Sequence, residues 1–369
     1  MKKVIVGVSG GVDSSVCLIL LKEAGYEVEG LFMKNWDSLI NNDIKGNPTL
    51  ENEICTQEED YNDALKVCNA LGIKLNRIDF VKEYWDYVFT YFLDELKKGR
   101  TPNPDVMCNK YIKFDLFIKE AKKLGADYIA TGHYAKIKDG VLYKAKDSNK
   151  DQTYFLGQLT SDQLKDVLFP LGDIDKTEVR EIAKKYNLAT KDKKDSTGIC
   201  FIGERNFKQF LTNYLPNQPG DIINIDTNKK IGTHVGLMHY TIGQRKGLDI
   251  GGSTDKIFVV GKNLDKNVLY VAYGENNDYL YSDSCIIDNL VINTNKKIEK
   301  CYAKFRYRMS DVPVTIEYLN DNELLIKYNG VKSVTPGQLC VLYKENGQCL
   351  GSGIIKEVRK NNKKLWYLL

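Results

Sequence analysis

The sequence predicts an α/β doubly wound parallel sheet followed by a small β-rich linking domain and a C-terminal β-barrel. Three observations predict it. Strand-like and helix-like apolar patterns alternate through the first third of the chain, and a glycine-rich turn separates the first strand from the first helix. After about residue 205, helical periodicity fades into short β runs set off by turn residues. A chain of 369 residues exceeds one ordinary domain. The patterns divide it into residues 1–205, 206–275 and 276–369.

Taken in order, residues 4–8 form an apolar run that ends in glycine and serine, and Val12, Val16, Ile19 and Leu20 then recur at helical spacing. Residues 28–33 read as a second strand. Tyr61, Ala64, Leu65 and Cys68 mark a helix before a third strand at 74–80. Trp85, Val88, Phe89, Phe92 and Leu96 give an amphipathic helix; Phe114, Phe117, Ile118 and Ala121 give another, before a fourth strand at 128–131. Such alternation makes right-handed crossovers and a parallel sheet, whose ligands bind at the carboxyl ends of the strands. The polar stretch 38–58, beyond the second strand, reads as a long loop at a place suited to a lid or substrate loop, with its role left open. In the second half, runs at 221–225, 257–260, 269–272, 314–318, 324–328, 339–343 and 352–357 read as β.

Composition excludes several classes. Apolar residues at 43% and charged residues at 28% are globular values. A net charge of +4 is too small for a tail-driven nucleic-acid binder. Residues 176–208 nevertheless carry nine basic and five acidic side chains, so a local basic face that tracks a polyanion is expected beside the alternative of a solvated helix face. No apolar run approaches the ~20 residues of a membrane span. Gly10, Gly11 and Asp13 interrupt the N-terminal apolar run, so neither an export signal nor a transit peptide is expected, and the protein reads as soluble and intracellular. Nine cysteines, with no C-x-x-C pair, argue against a disulfide framework, and three histidines make a zinc site a poor fit. Cys17, Cys68, Cys285 and Cys340 sit in apolar contexts and read as core.

The strongest local signal is Gly7-Val8-Ser9-Gly10-Gly11-Val12-Asp13-Ser14 between strand and helix. Glycines let a backbone approach phosphate, and helix N-terminal N–H groups bind anions. The lysine of one familiar phosphate loop and the third glycine of another are both absent. The hexamer Ser9–Ser14 resembles instead the loop of the PP-loop ATP pyrophosphatases (adenine nucleotide alpha hydrolase-like), which implies ATP cleaved between its α and β phosphates. Met33 and Gly132 fall at the carboxyl edge where adenine and ribose would rest. Core packing is the alternative for Met33.

Two cysteines stand apart from the core set. Cys108 follows the turn Thr101-Pro102-Asn103-Pro104-Asp105 and precedes a helix, with Lys110 and Lys113 one turn away. Those cations favour its thiolate and Asp105 opposes it. Cys200 lies in a basic loop, residues 193–203, of the kind that lets a thiol visit two partners.

These blocks, with Phe32-Met33-Lys34-Asn35-Trp36, Cys108-Asn109-Lys110, Ala130-Thr131-Gly132-His133-Tyr134, Lys150-Asp151-Gln152, residues 195–203, Gly243-Gln244-Arg245-Lys246-Gly247-Leu248 and Thr335-Pro336-Gly337-Gln338, resemble the tRNA-specific 2-thiouridylases over essentially the whole chain. The resemblance implies that sulfur replaces O2 of the wobble uridine of certain tRNAs in the cytoplasm. It places ATP on Gly7, Val8, Ser9, Gly10, Gly11, Val12, Asp13, Ser14, Met33 and Gly132. Cys200 carries a persulfide, and Cys108 is the nucleophile that frees or accepts the sulfur. Asn103, Pro104 and Asp105 meet the target base, and His133, Lys150, Asp151, Gln152, Arg306, Tyr307 and Gln338 meet tRNA. Mg²⁺ arrives with ATP rather than on a protein metal site, and a partner, a cysteine desulfurase or a sulfur-relay carrier, donates the sulfur.

The chemistry matches those residue types. The C2 carbonyl of uracil is a poor electrophile until its oxygen is adenylated. Loop amides and Mg²⁺ stabilise charge on the phosphates. A thiol cannot give up its carbon-bound sulfur, whereas a persulfide holds a detachable one. A Cys108–Cys200 disulfide then follows and needs reduction by thiol exchange, with Cα atoms able to approach ~5.5 Å. The 38–58 loop is longer than this resemblance predicts and adds Cys55, for which no role is assigned. Two other classes fit parts of the pattern: a PP-loop ligase that traps an adenylated metabolite with an amine, and a non-catalytic RNA-binding protein with a vestigial loop. Thiolation at another tRNA position is a related reading.

Overall fold

The computed structural model describes residues 1–50, 55–195, 198–200, 202–251 and 255–368. The chain forms two compact units. The first comprises Met1–Thr90, Pro104–Phe210 and Lys344–Gly351; the second comprises Tyr91–Asn103, Leu211–Tyr343 and Ser352–Leu369.

A five-stranded parallel sheet organises the first unit, in the order β3-β2-β1-β4-β7. Its strands are β1 (Lys3–Gly7), β2 (Glu27–Lys34), β3 (Leu75–Asp79), β4 (Tyr128–Ala130) and β7 (Val167–Leu168). Val4, Ile5 and Val6 of β1 are fully buried, as a central strand covered on both faces must be. β1 pairs with β2 on one side (Val6↔Gly30) and β4 on the other (Val6↔Ala130). The chain leaves β1 for β2 through helix α1 (Val12–Glu23) and later crosses to β4, so the strand order reverses at the carboxyl end of β1. That is where open α/β sheets bind ligands. Helix α1 packs Val16, Cys17, Leu18 and Ile19 into the core with Phe32, and Ala64 and Cys68 of helix α2 (Thr56–Leu71) join the same cluster. In the first unit the sequence reading missed the short strand β7 and two further strands. The latter two form the hairpin β5 (Ala135–Lys138) and β6 (Val141–Lys144), whose turn is Asp139-Gly140 with both residues at positive φ, +53° and +73°.

The described part of the 38–58 stretch is held by internal bonds. Residues 38–50 wrap around Asp43, whose side chain is 0% exposed and pairs with Arg205 at 2.8 Å. Trp36 Nε1 also donates to Asp43 Oδ2 at 3.0 Å, and Asn206 N donates to Gly46 O at 2.9 Å. Residues 51–54 of this stretch lie outside the described residues.

In the second unit, a four-stranded sheet runs β10-β11-β8-β9, built from β8 (Gly220–Asn224), β9 (Lys229–His234), β10 (Ile257–Asn263) and β11 (Val268–Tyr273). A seven-stranded sheet runs β12-β15-β14-β13-β16-β17-β18 and closes through a β12–β17 pairing. Its strands are β12 (Tyr281–Ile292), β13 (Lys300–Lys304), β14 (Val312–Asn320), β15 (Glu323–Lys332), β16 (Leu339–Tyr343), β17 (Cys349–Lys360) and β18 (Lys363–Lys364). Closure removes the exposed edges of the β12–β17 sheet. Ile287, Ala303, Ile326 and Val341 are fully buried and belong to its core.

Candidate active site

The loop after β1 is shaped by its glycines. Gly10 sits at φ +72°, and a Cβ there would lie 2.2 Å from Asp60 O. Glycine alone fits both constraints. Gly11 is the N-cap of α1, in extended backbone at φ −96° and ψ 168°, with no side chain capping the helix. Ser14 and Ser15 turn inward and donate to Gly11 O at 3.2 and 2.8 Å, while Ser9 N donates to Ser14 Oγ at 3.2 Å. The result is a tightly curled backbone at the positive end of a helix dipole, a cradle for anionic phosphate. A Cβ on Gly132 would lie 3.0 Å from Ser14 N, so the β4 edge closes one wall of the cradle. Met33 is buried, and its Cε lies 3.6 Å from where a Cβ on Gly7 would stand.

Asp13 in the first turn of α1 is part of a charge network that sequence reasoning did not foresee. Its Oδ1 accepts from Tyr134 Oη at 2.9 Å and from Lys176 Nζ at 2.7 Å. Lys176 also pairs with Asp195 at 2.7 Å, and Asp195 takes Arg180 at 3.0 Å and Lys150 at 2.8 Å. Burial would raise the Asp195 carboxyl, but the hydrogen bonds and charges of Lys150 and Lys176 prevail and hold it at about 2. Lys193 pairs with Asp60 and Asp63, each at 2.8 Å. Much of the basic surplus of residues 176–208 is thus engaged inside the first unit.

The two distinctive thiols meet. Cys108 begins a π-helical stretch, Cys108–Leu116, set between helices Pro104–Met107 and Phe117–Lys123. Its Sγ donates to Cys200 Sγ at 3.9 Å, and both cysteines are free thiols. Gly198 at φ +93° and the Gly203 N–H on Ile199 O (2.9 Å) close a turn around Cys200. Of the 195–203 block, Ser196, Thr197 and Phe201 lie outside the described residues. Two bonds hold the Cys200 backbone: Tyr84 Oη donates to its carbonyl at 2.8 Å, and its N–H donates to Asp105 Oδ1 at 3.0 Å.

The sequence left the net shift of Cys108 open between its lysines and Asp105; Lys113 does lower it and Asp105 raise it, but burial decides. Burial pushes Cys108 well up, reinforced by its contact with Cys200. The hydrogen bond from Cys108 lowers Cys200 against its own burial, and Lys113 adds to that shift. Burial raises Asp105. Lys110 is engaged elsewhere, donating to Gln158 Oε1 at 3.0 Å.

The residues expected at tRNA are placed as follows. His133 is buried between the rings of Phe114 and Phe169, at 5.7 and 5.9 Å, with Nδ1 2.8 Å from Thr131 Oγ1. Burial first, and Lys113 second, push it well below the usual histidine value. Asp151 uses both oxygens inside the fold, accepting from Ala145 N at 3.0 Å and Thr153 Oγ1 at 2.8 Å, and Gln152 Oε1 accepts from Tyr134 N at 3.0 Å. In the second unit, Arg306 donates to Ile242 O at 2.7 Å and Thr335 Oγ1 at 2.9 Å, and Gln338 donates to Thr101 O at 2.7 Å. Tyr307 lies in the turn after β13, and Asn103 closes the segment Tyr91–Asn103. Sequence reasoning missed Tyr84, Tyr134, Lys176 and Arg180. Tyr134 alone had a local signal, because it follows the Gly132 wall.

Among the described residues no cluster of His, Cys, Asp or Glu could hold a metal ion, and no helix is long and apolar enough to cross a membrane. A switch-point sheet, a glycine cradle and a thiol pair together define an ATP-using α/β enzyme of the PP-loop class, extended by β domains. Residues 2–204 match the tRNA methyl transferase HUP domain, 208–273 the tRNA methyl transferase PRC-barrel domain and 282–355 the aminomethyltransferase beta-barrel domain. The chain is 55% identical to the tRNA-specific 2-thiouridylase MnmA of Mycoplasmopsis synoviae, over 100% of this chain and 99% of that one. It is 56% identical to the protein of the same name from Mesoplasma florum (96% and 98%) and 54% identical to that from Staphylococcus carnosus (100% and 98%). The chain belongs to the tRNA-specific 2-thiouridylase family.

Proposed function

We propose that this chain is a tRNA-uridine 2-sulfurtransferase that thiolates the wobble uridine at C2, consuming ATP and forming 2-thiouridine, AMP and pyrophosphate. The observation that carries the reading is the approach of Cys108 Sγ to Cys200 Sγ at 3.9 Å, although the residues stand far apart in sequence. A ligase that traps its adenylate with an amine has no use for such a pair. The division into residues 1–205, 206–275 and 276–369 belongs to this reading, with the last segment contacting tRNA.

The residues act in sequence. Gly10, Gly11 and the N-terminus of α1 hold the phosphates of ATP, and Met33 and Gly132 border the nucleoside. Mg²⁺, when it arrives with ATP, neutralises charge on those phosphates. A stacked base cannot enter such a pocket, so the uridine must be flipped out against Asn103, Pro104 and Asp105. Its O2 attacks the α-phosphorus and pyrophosphate leaves. A partner protein, a cysteine desulfurase or a relay carrier, has already placed a sulfur atom on Cys200. The outer sulfur of that persulfide attacks C2, and AMP departs with the former O2. Cys108 then attacks Cys200 Sγ, and its proton passes to N3 of the thiolated uracil. The S–S bond to the outer sulfur breaks, its electrons stay with the sulfur on C2, and a Cys108–Cys200 disulfide remains. A dithiol reductant resets both thiols by exchange. His133, Lys150, Asp151 and Gln152 of the first unit meet tRNA in this reading, and so, separately, do Arg306, Tyr307 and Gln338 of the second.

The test is mass spectrometry of tRNA from a strain that lacks this protein, complemented with wild-type chain, C108S or C200S. Wild type restores 2-thiouridine at the wobble position and each serine variant fails to. Retained thiolation in both variants, or a sulfur missing from another position, would refute the reading.

A further inference from the structure

Two thiols 3.9 Å apart cannot both carry full negative charge, and a sulfur transfer of the kind proposed above needs them to keep separate roles. The helix register supplies a residue that can enforce this. Cys108 and Lys113 are five positions apart in the stretch Cys108–Leu116. In an α-helix of 3.6 residues per turn, that spacing would place them about 140° apart around the axis. The π register, with its i→i+5 hydrogen bonds, brings them onto one side. Phe114, at φ −113° and ψ 20°, breaks the helix immediately after Lys113. That shared side faces Cys200, 3.9 Å from Cys108, and the ammonium of Lys113 lies within electrostatic reach of Cys200, Cys108 and Asp105.

We propose that Lys113 is the positioning residue that assigns the roles of the two sulfurs: its ammonium holds negative charge on Cys200, as thiolate or as persulfide, and leaves Cys108 as the protonated partner. The thiol bond has the matching polarity, with Cys108 donating to Cys200. The other groups facing the pair come from three further elements. Tyr84 is kept neutral by burial and directs its hydroxyl to the Cys200 carbonyl. Asp105 faces both sulfurs and accepts from Cys200 N, a bond that fixes the backbone on which the charge sits. His133, neutral and bonded to Thr131, supplies no competing cation. Lys113 itself stays protonated: burial opposes it, but Cys200, Cys108 and Asp105 outweigh burial. The sulfur-transfer role rests on the thiouridylase reading, whereas the ionisation of Cys200 does not.

The test uses the full chain without tRNA or ATP. The rate of Cys200 alkylation by iodoacetamide is followed against pH by peptide mass spectrometry. Wild type should show a midpoint below the ordinary thiol value near 8.5. K113M and K113Q should move the Cys200 midpoint up by at least about one pH unit, roughly a tenfold rate loss at neutral pH, while K113R retains it. The surface change K119M should leave the midpoint unchanged. An unmoved midpoint in K113M or K113Q, or a shift confined to Cys108, overturns the proposal. Should both variants fail to fold, C108S decides. With Lys113 in place its Cys200 midpoint should stay below 8.5; full return to the ordinary value would assign the effect to Cys108 alone. A wild-type chain that fails to thiolate tRNA would sink the functional reading and leave this measurement standing.

Discussion

Lys262 shows how one buried group can tie the stability of the second unit to pH. Its side chain lies in β10, only 2% of the residue is exposed, and its Nζ donates to Gly99 O at 2.7 Å. Burial lowers its pKa to about 7, whereas the unfolded chain would hold the proton up to about 10.4. Between those values the unfolded state binds a proton that the native state lacks, so the contribution of Lys262 to stability rises with pH across that window. The expected result is a difference in urea midpoint between wild type and K262M that shifts in favour of wild type from pH 7 to pH 9.5, since the buried thiols with raised pKa values, Cys301 among them, pull stability down equally in both chains over that range. Equal slopes in wild type and variant would exclude Lys262 as the cause. The same scale marks a limit of sequence reading. Gly10 could be read as a loop glycine because strand, turn and helix sit side by side in the chain. Lys176 could not be read as the partner of Asp13, because 163 positions separate them and no local pattern encodes their meeting.

At the scale of elements, the stretch beyond β2 behaves as an anchor for the chain that follows Cys200. Asp43 is fully buried, and its Oδ2 takes Arg205 through Nε at 2.9 Å and Nη2 at 2.8 Å, with Trp36 Nε1 at 3.0 Å. Trp36 in turn packs on Phe89 and Phe210, at ring separations of 4.9 and 6.4 Å. Removing one partner of a buried ion pair strands a charge and costs about 3–5 kcal/mol. R205M should therefore destabilise the first unit by about that amount in chemical denaturation. D43N/R205M should cost clearly less than the two single changes together, because no lone charge is then left inside. Strict additivity would show that the pair is not coupled. This stretch was legible as long and polar but not as folded, since its core is a carboxylate rather than an apolar face. The β1–β4 strands, by contrast, were legible within one to two residues, because buried parallel strands are short apolar runs. Strands β12 and β13 were not, since serine, aspartate and lysine alternate along them and dilute the apolar signal. The π register at Cys108 was hidden for another reason: the apolar positions Ile112, Phe114 and Phe117 suit an α-helix equally well.

Across the whole molecule, nine cysteines separate into those that pack and those that react. Cys17, Cys68, Cys285, Cys340 and Cys349 are buried, and Cys301 is half-buried. Burial raises Cys68 to about 11 and Cys301 and Cys349 to about 12, so at neutral pH they are protonated as well as shielded. Cys55 is exposed and Cys200 partly so. Brief treatment of the native chain with iodoacetamide should thus label Cys55 and Cys200 first, and Cys17, Cys68, Cys285, Cys340 and Cys349 only after unfolding. Diamide should give a more selective result. The Cys200 thiolate adds to its N=N bond, and Cys108 then displaces the reduced hydrazine. The sulfurs close from 3.9 Å to about 2.05 Å as two hydrogens are lost. Peptide mapping should find one intramolecular disulfide, between Cys108 and Cys200, reversed by a dithiol and absent in either serine variant. A bridge joining any other pair, or none at all, would mean that the approach of these two sulfurs does not persist in solution. The sulfur transfer would then lose its acceptor.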